Sequence, residues 1–192
     1  MLLRNASLVP ESARPLFHFA SNPLSSRRKA FADMTVKINK TNAARLLDRE
    51  KIAYRLIPYR FDENDLAAVH VAAELDEPVE RVFKTLVLRG DRHGILVCVI
   101  PGDGELDLKK AARASGDKSV AMLHMKELLP VTGYIRGGCS PLGMKKRFPV
   151  FIHSSCMDFE TIYVSAGVRG LQIEIAPADL VRVTAASLED LL

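Results

Sequence analysis

Tryptophan is absent from this 192-residue chain, aromatic residues make up only 6% of it, and there are three cysteines. Cys98, Cys139 and Cys156 are odd in number and nowhere spaced CxxC. That argues against a disulfide framework or a thiolate zinc site, and a reducing compartment, the cytoplasm, is the expected location. No apolar run approaches the ~20 residues of a membrane-spanning helix, so no membrane partner is expected. Also missing are the signatures that would name a reaction outright: GxSxG, HExxH, a Walker A loop, or GxGxxG after a strand. What remains is 48% hydrophobic and 26% charged, an ordinary globular balance in a chain long enough for one real core. The net charge of +4 permits contact with a polyanion without demanding it.

Residues 1–33 differ from the rest. Arg4, Arg14, Arg27, Arg28 and Lys29 face only Glu11 and Asp33, with several serines between. This composition is expected of an N-terminal extension without fixed structure, either a mis-assigned start or a transit-like tail. Met34 then opens a single folded domain, residues 34–192. Thr41 can cap a helix with Ala43, Leu46 and Leu47 on one face. Tyr54 to Ile57 reads as a strand ending at Pro58. Asp65 starts a second helix carrying Leu66, Val69, Ala73 and a partly buried His70, and Asp76 and Pro78 open a short helical turn. Val82–Leu88 and Ile95–Ile100 form strands joined by a turn containing His93. Asp107 caps the helix 108–114, and 125–129 is helical. Strands follow at 150–153, 161–165 and 171–175, where Leu171, Ile173 and Ile175 alternate with polar residues. Pro177 opens a last short helix. Interspersed helices and hairpins indicate an α+β fold with a mixed sheet.

The stretch Thr132–Arg147, TGYIRGGCSPLGMKKR, holds Gly133, Gly137, Gly138 and Gly143 and ends in Lys145, Lys146 and Arg147. Glycine permits positive φ, and consecutive free N–H groups form a concavity that suits an anion or a carbonyl oxygen gaining charge. A long surface connection between strands has the same composition. Cys139 lies inside this loop, but no histidine is near in sequence to activate it, so it reads as a loop-lining residue. Lys84 interrupts the apolar run Val82, Phe83, Leu86, Val87. It either guards an edge strand against aggregation or presents an ammonium to a polar pocket.

FKTLVL at 83–88, GELDLKK at 104–110, TGYIRGGCSPLGMKKR at 132–147 and TIYVSAGVRGLQIEI at 161–175 together resemble the YbaK family of aminoacyl-tRNA deacylases, from about Thr41 to the C-terminus. That family is similar to the editing domain of bacterial prolyl-tRNA synthetases. The resemblance implies a curled, barrel-like mixed β-sheet flanked by short helices. It also implies a trans-editing hydrolase acting on misacylated tRNA, cysteinyl-tRNA(Pro) above all. Such a second site is needed because a proline pocket cannot strongly exclude an amino acid of similar size. The implied partners are the tRNA(Pro) acceptor end and a prolyl-tRNA synthetase, with no DNA and neither cofactor nor metal.

By the same resemblance Lys84 anchors the terminal nucleotide and Gly137 offers its neighbouring N–H groups to the scissile carbonyl. Tyr59, Gly138, Ser140, Ser165 and Gln172 line the substrate, and if the ligand is a tRNA, Lys109, Lys110, Lys145, Lys146 and Arg147 are the expected phosphate contacts. The family's chemistry is assisted by the substrate: the cysteinyl thiol attacks its own carbonyl, and the protein positions and polarises. Gln172 departs from the pattern, since the best-studied branch has an aspartate there, and Ser165–Gly170 is also altered. A non-catalytic module holding a tRNA end or a synthetase, and a generic carboxylate binder, therefore remain as alternatives. Salt-sensitive RNA binding separates the tRNA readings from the last.

Overall fold

The computed structural model describes residues 40–62 and 67–192; the extension at 1–33 and the helix start at Asp65 and Leu66 lie outside the described residues. Thr41 does cap the first helix, α1 (Asn42–Arg49), its hydroxyl accepting from the Ala44 N–H, and Ala43 and Leu47 turn inward. Strand β1 (Tyr54–Pro58) follows, then α2 (Ala68–Leu75), which ends on Asp76 in the left-handed region. Its buried face is Val71, Ala72 and Leu75, leaving Val69 exposed, because this is the stripe that lies against β-sheet. A 3-10 turn (Val79–Arg81) leads into β2 (Phe83–Gly90) and β3 (Gly94–Pro101). Asp107 caps α3 (Leu108–Ser115), accepting from the Lys109 and Lys110 N–H groups. Then come β4 (Val120–Met122), α4 (Met125–Thr132), β5 (Val150–His153) and a 3-10 turn (Ser154–Asp158). The chain closes with β6 (Ile162–Ser165), β7 (Leu171–Ile175), α5 (Pro177–Thr184) and β8 (Ser187–Glu189).

The strands form two sheets, not the single curled barrel the resemblance implied. One is antiparallel with order β1-β7-β6; the other, order β4-β2-β3-β5-β8, is mixed. They meet at one isolated parallel bridge, Val82 to Tyr163, so hydrogen bonding does not continue around the molecule. Between their inner faces lies the main core: Phe83, Val97 and Val99 against Val164, Ile173 and Ile175, closed by Leu47 of α1 and Leu180 of α5. The outer face of the larger sheet (Leu88, Leu96, Cys98, Ile100) is covered by Ala111 and Ala112 of α3. The outer face of the smaller sheet is covered by α2 through Val71, Ala72 and Leu75, packed on Tyr59, Val82 and Tyr163. With both faces of β3 buried, its run of six apolar residues needs no alternation. No helix among the described residues is long and apolar enough to cross a membrane.

Candidate active site

Lys84 is not on an exposed edge. Strand β2 lies between β3 and β4, and beyond β4 its outer flank approaches β6 at the Val82–Tyr163 bridge. Side chains alternate along a strand, so Lys84 and Ser165 point the same way as Val82 and Tyr163, two residues on from the bridge. Gln172 pairs with Ser165 across β6 and β7. The register thus lines up Lys84, Ser165 and Gln172 as a polar row on the outer face, at the seam between the ground covered by α2 and by α3.

Each member of the row has a distinct state. The Lys84 ammonium is half-buried and donates to the Gly102 carbonyl at 2.9 Å. Desolvation pulls its pKa below the ordinary lysine value, opposed by the nearby Asp103 and Glu105 carboxylates. Ser165 Oγ accepts from the Gly167 N–H at 3.3 Å, which braces the turn after β6. Gln172 is only 4% exposed and its Oε1 has no hydrogen-bond partner among the described residues. A buried acceptor left idle costs stability and marks a place where a donor fits. Tyr59 is beside the row: its N–H donates to Gly170 O at 3.0 Å and its ring packs on Val82 and Tyr163.

The glycine-rich loop abuts the same turn. A Cβ on Gly138 would lie 3.1 Å from the Val168 carbonyl carbon, so only glycine lets the two backbones touch. Arg169 Nε ties them further by donating to Arg136 O at 3.0 Å. Gly137 has φ +80°, and the N–H groups of Gly137, Cys139 and Ser140 have no backbone acceptor among the described residues, whereas Gly138 N–H donates to Ile135 O. Ser140 is fully buried and its Oγ accepts from Leu142 N–H, so its hydroxyl stiffens the loop. Cys139 is buried against Val87 and Tyr134, and burial pushes its thiol up to about 12, which leaves no thiolate to attack with.

The five cations expected at the tRNA are dispersed. Lys110 is held by Asp190 (2.7 Å) and the Leu192 carbonyl, fastening the C-terminus to α3. Lys145 donates to Leu129 O and Pro130 O, each at 3.3 Å, at the carbonyl end of α4. Lys109 is exposed on the first turn of α3, and Lys146 and Arg147 are exposed where the loop leaves for β5.

Two features escape a reading of the sequence alone. Thr85 Oγ1, on the opposite side of β2 from Lys84, is buried with no partner among the described residues; nothing in FKTLVL distinguishes it from a strand-forming threonine. Arg81 bonds Glu77 at 2.5 Å and Thr161 Oγ1 at 2.6 Å, and lies 5.2 Å from the Tyr163 ring centroid, whose hydroxyl donates to Glu77 at 2.9 Å. This network clamps the two sheets together at the bridge that aligns the row.

Known proteins are similar to this chain in sequence and in fold. The family described as "Aminoacyl-tRNA editing domain" matches residues 63–183. A protein of Enterococcus faecalis, named "Putative Cys-tRNA(Pro)/Cys-tRNA(Cys) deacylase EbsC", is 50% identical over 145 residues, 76% of this chain and 88% of that one. A proline–tRNA ligase of Thermosipho africanus is 29% identical over 99 residues, 52% of this chain and 18% of the ligase. Among solved structures, one described as "a putative trans-editing enzyme for prolyl tRNA synthetase" superposes with a TM-score of 0.69 at 22% identity, covering 80% of this chain and 98% of its own. The chain belongs to the aminoacyl-tRNA editing domain family.

Proposed function

We propose that this protein is an aminoacyl-tRNA deacylase that works in trans, with cysteinyl-tRNA(Pro) as its foremost substrate, in the cytoplasm. The observation that carries the reading is the Lys84–Ser165–Gln172 row, with its idle buried acceptor on Gln172 and with the turn after Ser165 in contact with the glycine-rich loop at Gly138. The Gln172 Oε1 accepts from the substrate's ammonium, which turns the ester carbonyl toward the Gly137 loop. Those N–H groups stabilise the oxygen as it becomes an oxyanion. Lys84 stays protonated and neutralises a phosphate of the terminal nucleotide. The substrate sulfur then attacks its own carbonyl carbon, forming a C–S bond as the ester C–O bond breaks. The thiol proton goes to the departing ribose oxygen, leaving a thiolactone that water opens. Positioning is all this intramolecular route asks of the protein, and effective molarities for such reactions are large. It fits a site whose own thiol, Cys139, is buried and held protonated.

A neutral Gln172 in place of a carboxylate weakens the hold on the ammonium, which favours one other reading, a module that binds the acceptor end without cleaving. A deacylation time course on cysteinyl-, alanyl- and prolyl-tRNA(Pro) with wild type and Gln172→Asp separates the two. Selective loss of cysteine, faster in Gln172→Asp, supports the deacylase. Tight tRNA binding with no hydrolysis of any of the three by either protein means a binding module.

A further inference from the structure

The polar row accounts for an aminoacyl end but not for a second concentration of charge that shares none of its residues. A groove of about 810 Å3 runs between α1, α5 and the stretch Met144–Val150. Its walls carry Arg45 and Arg49, one turn apart on α1, Lys146 and Arg147 from the glycine-rich loop, and Arg182 from the last turn of α5, against one carboxylate among the described residues, Glu50. All five cations are exposed. Arg49 meets Glu50 at 3.3 Å and Arg182 meets Asp179 at 2.8 Å, whereas Arg45, Lys146 and Arg147 have no ion-pair partner among the described residues.

We propose that this groove is a phosphodiester-binding surface that takes the backbone of the tRNA whose aminoacyl end reaches Lys84; the proposal rests on the deacylase reading. Three observations favour an RNA backbone. The excess charge is of one sign and comes from three separate segments, α1, the glycine-rich loop and α5, which suits a row of phosphates. Among the described residues that line it the one aromatic side chain, Phe148, is packed against the main core, so these residues offer no platform on which bases could stack. The groove and the row are also joined by one loop, with Gly138 against the turn after Ser165 and Lys146 in the groove wall. Eight residues separate those points, so they are at most about 28 Å apart. A nucleic-acid strand crosses that span in on the order of eight nucleotides at ~3.4 Å each. A tRNA with its 3′ end at Lys84 therefore brings its terminal stem within reach of the groove. The grip is sequence-independent, and identity is left to the aminoacyl site.

The test is filter binding of uncharged tRNA, together with steady-state deacylation, across a KCl series. The proteins are wild type, Lys84→Ala, and the exposed pairs Arg45→Gln/Arg49→Gln and Lys146→Gln/Arg147→Gln, checked for folding by circular dichroism. Each groove pair is expected to weaken tRNA binding and raise KM by roughly tenfold, and to flatten the log–log salt slope by roughly 0.9 per lost phosphate contact, with kcat unchanged. Lys84→Ala differs in lowering kcat, and it flattens the slope only by the roughly 0.9 of its single phosphate contact. Wild-type affinity and slope in both groove pairs, with wild type hydrolysing its substrate, would overturn the groove and leave the deacylase intact. No hydrolysis by wild type, with weakened and flattened binding in the groove pairs, would overturn the deacylase and leave the groove.

Discussion

Lys84 is an ammonium held where water is scarce, and this makes it useful and costly together. Its pKa is depressed by desolvation, so the unfolded chain binds its proton more tightly than the folded protein does. The cost is fully present below the depressed folded value, and stability rises as pH climbs from there toward the ordinary value near 10.4. Activity runs the other way if the charge is what holds the substrate, falling as pH rises through the depressed value. Lys84→Met is therefore expected to melt no lower than wild type while losing on the order of 10²–10³-fold in kcat/KM. Thermal melts and a pH–rate profile check both halves. A variant that melts well below wild type would mean that the bond to Gly102 matters more than the cost of burying the charge.

At the scale of elements, glycines and caps hold the loop and the hairpin in register. Gly143 has φ +67°, and a Cβ there would lie 2.9 Å from the Asn42 carbonyl carbon at the start of α1. Gly143→Ala combines a left-handed backbone with a backbone clash and is expected to cost about 1–3 kcal/mol, read as a lowered urea midpoint. The β2–β3 turn rests on Asp117, which accepts from the Arg92 and His93 N–H groups at 2.8 and 2.9 Å and from Ser115 Oγ at 2.8 Å. Desolvation alone would raise its pKa, but these bonds outweigh it and hold the carboxyl at about 2. A depressed carboxylate stabilises the fold above its ordinary value near 4, and that contribution is lost as pH falls through about 2. Asp117→Asn should accordingly melt several degrees below wild type at pH 6, the gap closing as pH falls from ~5 to ~2. A constant gap over that range would show that the charge is not what stabilises the turn. At the end of α4, Lys145 receives a comparable structural explanation. With Leu129 O and Pro130 O as acceptors its ammonium closes the carbonyl end of a helix that contains Pro130.

For the whole molecule, the decisive contact is the meeting of two sheets at one bridge. Arg81, Glu77, Thr161, Tyr163 and Glu174 surround it, and Arg55 adds a pair to Glu174 at 3.1 Å. Removing one member of a buried ion pair is strongly destabilising; with a quarter of the Arg81 side chain in water, Arg81→Met is expected to cost about 1–3 kcal/mol. Because this clamp aligns Lys84 with Ser165, kcat should fall as well, although Arg81 is not a member of the row. Stability lost with kcat intact would show that the row keeps its alignment without the clamp.

Much of this architecture was legible locally. Thr41 and Asp107 advertise their helices because each cap is an interaction within one turn, β3 shows as an apolar run because both its faces are buried, and β7 shows as an alternation because one face lies in the main core. The family motifs marked Lys84, Gly137 and Gln172 by their order along the chain. Strands β4 and β8 were missed: each is three residues long and mostly exposed, and exists only because β2 and β5 offer it a ladder. The two-sheet architecture, the Lys84–Ser165–Gln172 row and the cationic groove were likewise decided by tertiary structure alone. Periodicity reports which face of a segment is buried, but not which distant segment buries it or which charges the chain's return brings side by side.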